Sequence, residues 1–115
     1  MSTAYVAALG LTLLIEMPVY ASVLRCGLTI SARRGLGAGA AVNLISHPLA
    51  FLIVMPALAR PLGFFPALVL IEAGVWVLES ALLWLWLRRD LDLLGLAGLL
   101  ANAVSLAVGL WLILS

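Results

Sequence analysis

Lysine is missing altogether. All six basic residues are arginine, and they are scattered over the breaks between apolar runs instead of forming the basic face that a phosphate backbone requires. Nucleic acid is thereby excluded as a partner. Cys26 is the only cysteine, so no internal disulfide can form, the redox compartment cannot be read from cysteine usage, and a disulfide-exchange enzyme would lack its second thiol. Charged residues make up 10% of the chain, against about a quarter in soluble domains. No linker, low-complexity segment or convincing internal repeat interrupts the sequence. No positive residue precedes the first apolar run, which also contains Glu16 and Pro18; a secretory signal would show a basic start and a uniform apolar centre. That run is therefore expected to be retained. Val23-Leu24-Arg25-Cys26 departs from a lipoprotein lipobox by placing Arg25 where a small residue is needed.

What the chain does have is hydrocarbon. Hydrophobic residues reach 66% and the mean hydropathy is +1.28. Four apolar runs, at about 4–24, 35–58, 66–87 and 93–114, are each near the roughly 20 residues needed to cross a bilayer. The short connections make consecutive helices antiparallel neighbours. The expected fold is all-α, a single domain over 1–115 forming an integral membrane four-helix up-down bundle embedded in lipid.

The breaks between runs set the orientation. Arg25, Arg33, Arg34, Arg88 and Arg89 lie in the first and third connections and only Arg60 in the second, read as Ala59 to Phe65. By the positive-inside rule the first and third connections are cytoplasmic, which puts both termini outside in a bacterial inner membrane. Pro66 suits the first turn of the third helix, and Asp90 or Asp92 suits the N-cap of the fourth. Trp84, Trp86 and Trp111 suit interfacial belts.

Against this background the polar residues stand out. Asn43, Ser46, His47 and Pro48 fall inside the second run, Glu16 and Tyr20 inside the first, and Glu72 and Glu79 inside the third. With a rise of about 1.5 Å per residue, Glu16, His47, Glu79 and Asn102 come out about 18–20 Å from the outer face. Asn43 and His47 are four residues apart, Glu72 and Glu79 seven, and Thr12, Glu16 and Tyr20 follow one stripe, so each helix presents a polar face. Charges directed at lipid are costly, about 2.5–3.5 kcal/mol on insertion scales, so the stripes should point inward. Pro18 and Pro48 cannot donate to the carbonyls of Leu14 and Leu44, leaving each oxygen free near Glu16 or His47. Gly35 and Gly39 form a Gly-x-x-x-Gly pair suited to close helix packing.

One imidazole with two or three carboxylates suits a single divalent metal ion, Zn²⁺, Mn²⁺ or Fe²⁺. The same groups also make a proton relay, or a purely structural set of hydrogen bonds that fixes helix register. A di-iron bundle is excluded, because it needs Glu-x-x-His on two helices. Ser46 and His47 are not a nucleophile and base, since adjacent helical residues project about 100° apart. Whether the chain is an enzyme is left open by these residues. Asn102 and Ser105 read as interhelical glue.

Asn43-x-x-Ser46-His47-Pro48, followed by Glu72-x6-Glu79 and preceded by Glu16-x-Pro18, resembles a group of small bacterial four-span membrane proteins of uncharacterised function. The likeness covers three of the four spans and implies no activity. In length, span number and a glutamate in the first span the chain is also similar to the small multidrug resistance transporters, which implies proton-coupled antiport by an antiparallel dimer. That family lacks the His-Pro and the glutamate pair, and its weak charge bias contrasts with five arginines against one. A third expectation is an accessory subunit or chaperone of a larger membrane complex, with the Gly35 and Gly39 face as its docking surface; the partners expected besides lipid are a homo-oligomer or another membrane protein.

Overall fold

The computed structural model describes residues 3–115, apart from the side chain of Ile113. Four helices account for nearly all of them: α1 (Thr3–Leu28), α2 (Ala32–Leu62), α3 (Phe64–Leu87) and α4 (Leu91–Leu114). All are long and apolar enough to cross a membrane, and among the described residues there is no strand. The chain is a multi-pass, all-α membrane protein. Its long dimension of 42 Å matches a bilayer of about 40–45 Å with its headgroups.

The helix ends explain the turns. Thr29 and Arg88 adopt positive φ after α1 and α3, and Asp90 does so before α4. Ser31 caps α2, its hydroxyl accepting from the Arg34 N–H at 3.3 Å. Asp90 stands at the N-cap of α4 as expected, yet no side-chain bond is made there; its carbonyl accepts from the Leu94 N–H at 2.9 Å. Arg89 donates to the Leu28 carbonyl at 2.8 Å, which ties the two arginine-bearing connections together and sets a cation at the negative end of the α1 dipole.

The second connection is much shorter than Ala59 to Phe65. Helix α2 runs on to Leu62, and Gly63 alone joins it to α3. Gly63 has φ 83° and ψ 167°, a conformation that residues with a Cβ avoid. Its N–H donates to Ala59 and its carbonyl accepts from the Ala67 N–H, so both helix ends close on this one residue. Within α2, the α-helical Ala32–Pro48 passes into a π-helical stretch, Leu49–Val54, before α geometry resumes at Met55–Leu62. The missing Pro48 N–H starts the change, and the Met55 N–H donates to Ala50 across the wider turn.

The helices stand in a ring: α1 packs on α2 and α4, and α3 packs on the same two, so the α1 and α3 backbones face one another across the diagonal and meet through side chains. In lipid no hydrophobic effect drives helices together, and close van der Waals fit takes its place. The half nearer the arginines is filled by Tyr20, Leu24, Leu28, Val42, Leu83 and Leu94, with Ala97 and Ala101 supplying thin points of approach. In the other half a small cluster of Ala50, Ile71 and Val75 joins α2 to α3 only. The axis of that half is left to a cavity lined by both polar and apolar side chains.

Gly35 and Gly39 carry the α1–α2 contact. A Cβ on Gly35 would come within 2.7 Å of the Ala21 Cα, and one on Gly39 within 3.1 Å of the Met17 Cα. This face is therefore filled from inside the molecule, which corrects the expectation that it docks an external subunit. Gly35→Leu is expected to lower the thermal unfolding midpoint in detergent, at a cost of about 1–3 kcal/mol or more. Gly74→Leu, where a Cβ meets nothing within 4 Å, should leave it unchanged, and equal midpoints for the two would contradict the packing role.

Candidate functional site

Glu79 is where all four helices meet. It lies on α3, fully buried, and its carboxylate takes a donor from each of the other three. Tyr20 on α1 donates to Oε1 at 2.6 Å, Asn102 on α4 donates to the same oxygen at 3.0 Å, and Ser46 on α2 donates to Oε2. The Asn102 amide also donates to its own helix at Gly98, 2.9 Å away. Tyr20 is 0% exposed and Ser46 1%, so the bonds form in a buried layer where such pairings are hard to replace. Gly98 keeps the crossing thin: a Cβ there would stand 3.4 Å from the Tyr20 hydroxyl.

Glu16 is in a different condition. It is 2% exposed, and its Oε1 has no hydrogen-bond partner, whereas buried polar atoms are nearly always paired. Asn43 and Ser105 flank the carboxyl, and one N–H of the Asn43 amide donates to the Gly39 carbonyl at 2.8 Å. Glu16 lines a cavity of about 270 Å³ that also receives Glu72, Asn43, Ser46, His47 and Asn102. The cavity extends from this polar layer to Tyr5, Phe64 and Leu110, close to the ends of α1, α3 and α4. It thus runs toward the termini, while the arginine half below it is closed by packed apolar side chains.

His47 does not join the carboxylates. Its Nδ1 lies 3.2 Å from the Tyr5 hydroxyl, and its ring sits between Tyr5 and Phe51, with centroids 5.4 Å and 4.6 Å away. Tyr5 is about 16 Å above Glu16 along α1, so His47 belongs to the upper wall of the cavity and not to the Glu16–Glu79 layer. Ser46, next in sequence, bonds Glu79 instead, so the two side chains diverge as their helical phase requires.

The prolines also act differently from the expectation. Leu14 is 74% exposed and Leu44 53%, and neither they nor Pro18 and Pro48 line the cavity. The residues whose carbonyls proline leaves free are thus on outer faces of the helices, away from the cavity. Pro48 contributes by starting the π-helical stretch, within which Phe51, and just beyond which Met55, line the cavity.

Among the described residues no group of three or more His, Cys, Asp and Glu is placed to hold a metal ion; Glu79 takes donors from three helices, and His47 is turned toward Tyr5. Three carboxyls do share one region, with Glu79 close enough to Glu16 and Glu72 to act on both electrostatically.

Two contributors were not singled out as site residues in the sequence. Asn102 was assigned to helix packing, although its depth placed it with Glu16 and Glu79; its spacing of three from Ser105 puts both on one face, and both line the cavity. Tyr5 lies near the start of α1, where a tyrosine also suits an interface, and nothing in its sequence context pairs it with His47. Comparison with protein-family models, with curated proteins and with solved structures finds no match.

Proposed function

We propose that this chain is a cation-binding membrane protein whose site is the Glu16 carboxyl at the floor of the cavity, and that the cation it takes up is a proton in transit. The observation that carries this reading is the partnerless Glu16 oxygen, buried yet lining a cavity. Ionisable groups inside a membrane are costly and default to function, and three neighbouring carboxyls in low dielectric call for a neutralising positive charge. Glu72 in the wall and His47 with Tyr5 above it form the approach. Glu79, held by Tyr20, Ser46 and Asn102, fixes the helices around it. The positive-inside rule puts the arginine end in the cytoplasm, so the cavity draws its proton from the outside. The resemblance to small four-span bacterial proteins groups the same residues and adds no chemistry.

Proton flux into liposomes under an imposed pH gradient tests this. The parent protein is expected to conduct above empty liposomes, and Glu16→Gln to reduce flux by at least ten-fold while Glu72→Gln reduces it less. Flux that is absent in the parent, or unchanged in Glu16→Gln, would defeat the proposal. A second reading is favoured by one observation. Above the acids the cavity walls are Phe51, Met55, Phe64, Leu68 and Leu106, surroundings that suit an organic cation exchanged for the proton, as in the small multidrug resistance transporters. Calorimetric titration with tetraphenylphosphonium separates the two: binding lost in Glu16→Gln supports exchange, and no binding leaves the proton alone.

A further inference from the structure

A second recess, independent of the acidic cavity, lies on the opposite half of the molecule between α2 and α3. It has a volume of about 410 Å³ and is walled by Gly37, Ala41 and Ile45 on α2 and by Leu82 and Trp86 on α3, with Arg34 at its end. The small residues of α2 keep it open: a Cβ on Gly37 would meet nothing within 4 Å. Its walls are apolar except at one point, the Arg34 guanidinium, which stands 5.2 Å from the centre of the Trp86 ring. The acids at that end of the bundle, Asp90 and Asp92, stand at the start of α4, whose backbone does not pack on that of α2, and Arg34 itself is exposed. The arginine is therefore offered to something outside the chain.

The dimensions say what that is. From Arg34 to Ile45 the helix rises about 16 Å, close to one leaflet's half of a hydrocarbon core of roughly 30 Å. A single groove thus runs from a cation at headgroup depth, beside an interfacial tryptophan, to the bilayer midplane. We propose that it is a binding site for one anionic phospholipid of the arginine-side leaflet, the phosphate meeting Arg34 and one acyl chain lying along Gly37, Ala41 and Ile45. Charge selects the headgroup, because a guanidinium matches a phosphate in two parallel hydrogen bonds. The apolar lining of Gly37, Ala41, Ile45 and Leu82 suits the hydrocarbon of the chain.

The test is native mass spectrometry of the purified protein titrated with phosphatidylglycerol and, separately, phosphatidylethanolamine. The parent is expected to hold one phosphatidylglycerol about five-fold more tightly than phosphatidylethanolamine, the effect of about one basic side chain at a charged membrane surface. Arg34→Gln should erase that preference, and Gly37→Leu, which fills the groove from a position with free space around it, should weaken both lipids. Equal retention of the two lipids by the parent would overturn the proposal, as would a preference that survives Arg34→Gln. A dimer mass that disappears in Gly37→Leu would overturn it in favour of a second copy. None of these readouts depends on proton flux, so this site and the acidic cavity stand or fall separately.

Discussion

Glu79→Ala is expected to cost the bundle about 2–5 kcal/mol, from three interhelical bonds at roughly 0.6–1.7 kcal/mol each in membrane proteins. The alanine would strand the Tyr20 hydroxyl, the Ser46 hydroxyl and the second contact of the Asn102 amide together. Glu79→Gln should lose far less. Its amide oxygen still accepts from Tyr20 and Asn102, and its NH₂ donates to Ser46, whose hydroxyl serves equally as acceptor. Denaturation by increasing SDS, followed by helical circular dichroism, gives the comparison. Matching midpoints for the alanine and glutamine variants would show that the four-helix junction does not hold the bundle. Tyr20→Phe, which removes one bond and little volume, should fall between them and near the parent.

This junction illustrates what was legible in the sequence. Composition and run length are enough for four membrane helices, because only helices satisfy the backbone without water in so small a chain. The polar layer was legible as well, since an acid or amide within an apolar run has few inexpensive places to go. The pairing inside the layer was not. Going round α2 at 100° per residue, Ser46 lies about 60° to one side of Asn43 and His47 about 40° to the other. One flank of α2 faces α3 and the other faces α1. Ser46 meets Glu79 and His47 meets Tyr5 because of that order of neighbours, and the order is a property of the packed ring that no spacing within one helix contains. The same holds for Leu49–Val54: Pro48 announces a lost hydrogen bond, but whether the chain answers with a kink or with a wider turn depends on what packs against it. At Gly63 the difficulty was composition, since Arg60-Pro61-Leu62-Gly63 reads as a loop while the helix needs only its final glycine to turn.

Glu16→Leu is the experiment in which stability and activity should move in opposite directions. Glu79 and Glu16 are both buried glutamates, but one has three donors and the other an oxygen with none. A buried polar atom without a partner costs about 1–3 kcal/mol, and a residue retained at that cost serves something other than the fold. Leucine removes the stranded oxygen and has apolar neighbours in the cavity wall, so the variant is expected to be as stable as the parent or up to about 2 kcal/mol more stable, while proton flux falls to the level of empty liposomes. Glutamine at the same position keeps the shape and the polarity and should show the same loss of flux without the gain in stability. If Glu16→Leu instead unfolds at lower SDS than the parent, Glu16 is a structural residue whose partner is water or lipid, and the cavity loses its claim to be the functional site. If stability rises and flux persists, the proton passes by another route, for which Glu72 is the remaining acid in the wall. The proposed assignment requires the divergence of the two measurements, because only a group kept for its chemistry is both a burden on the folded state and indispensable to what that state does.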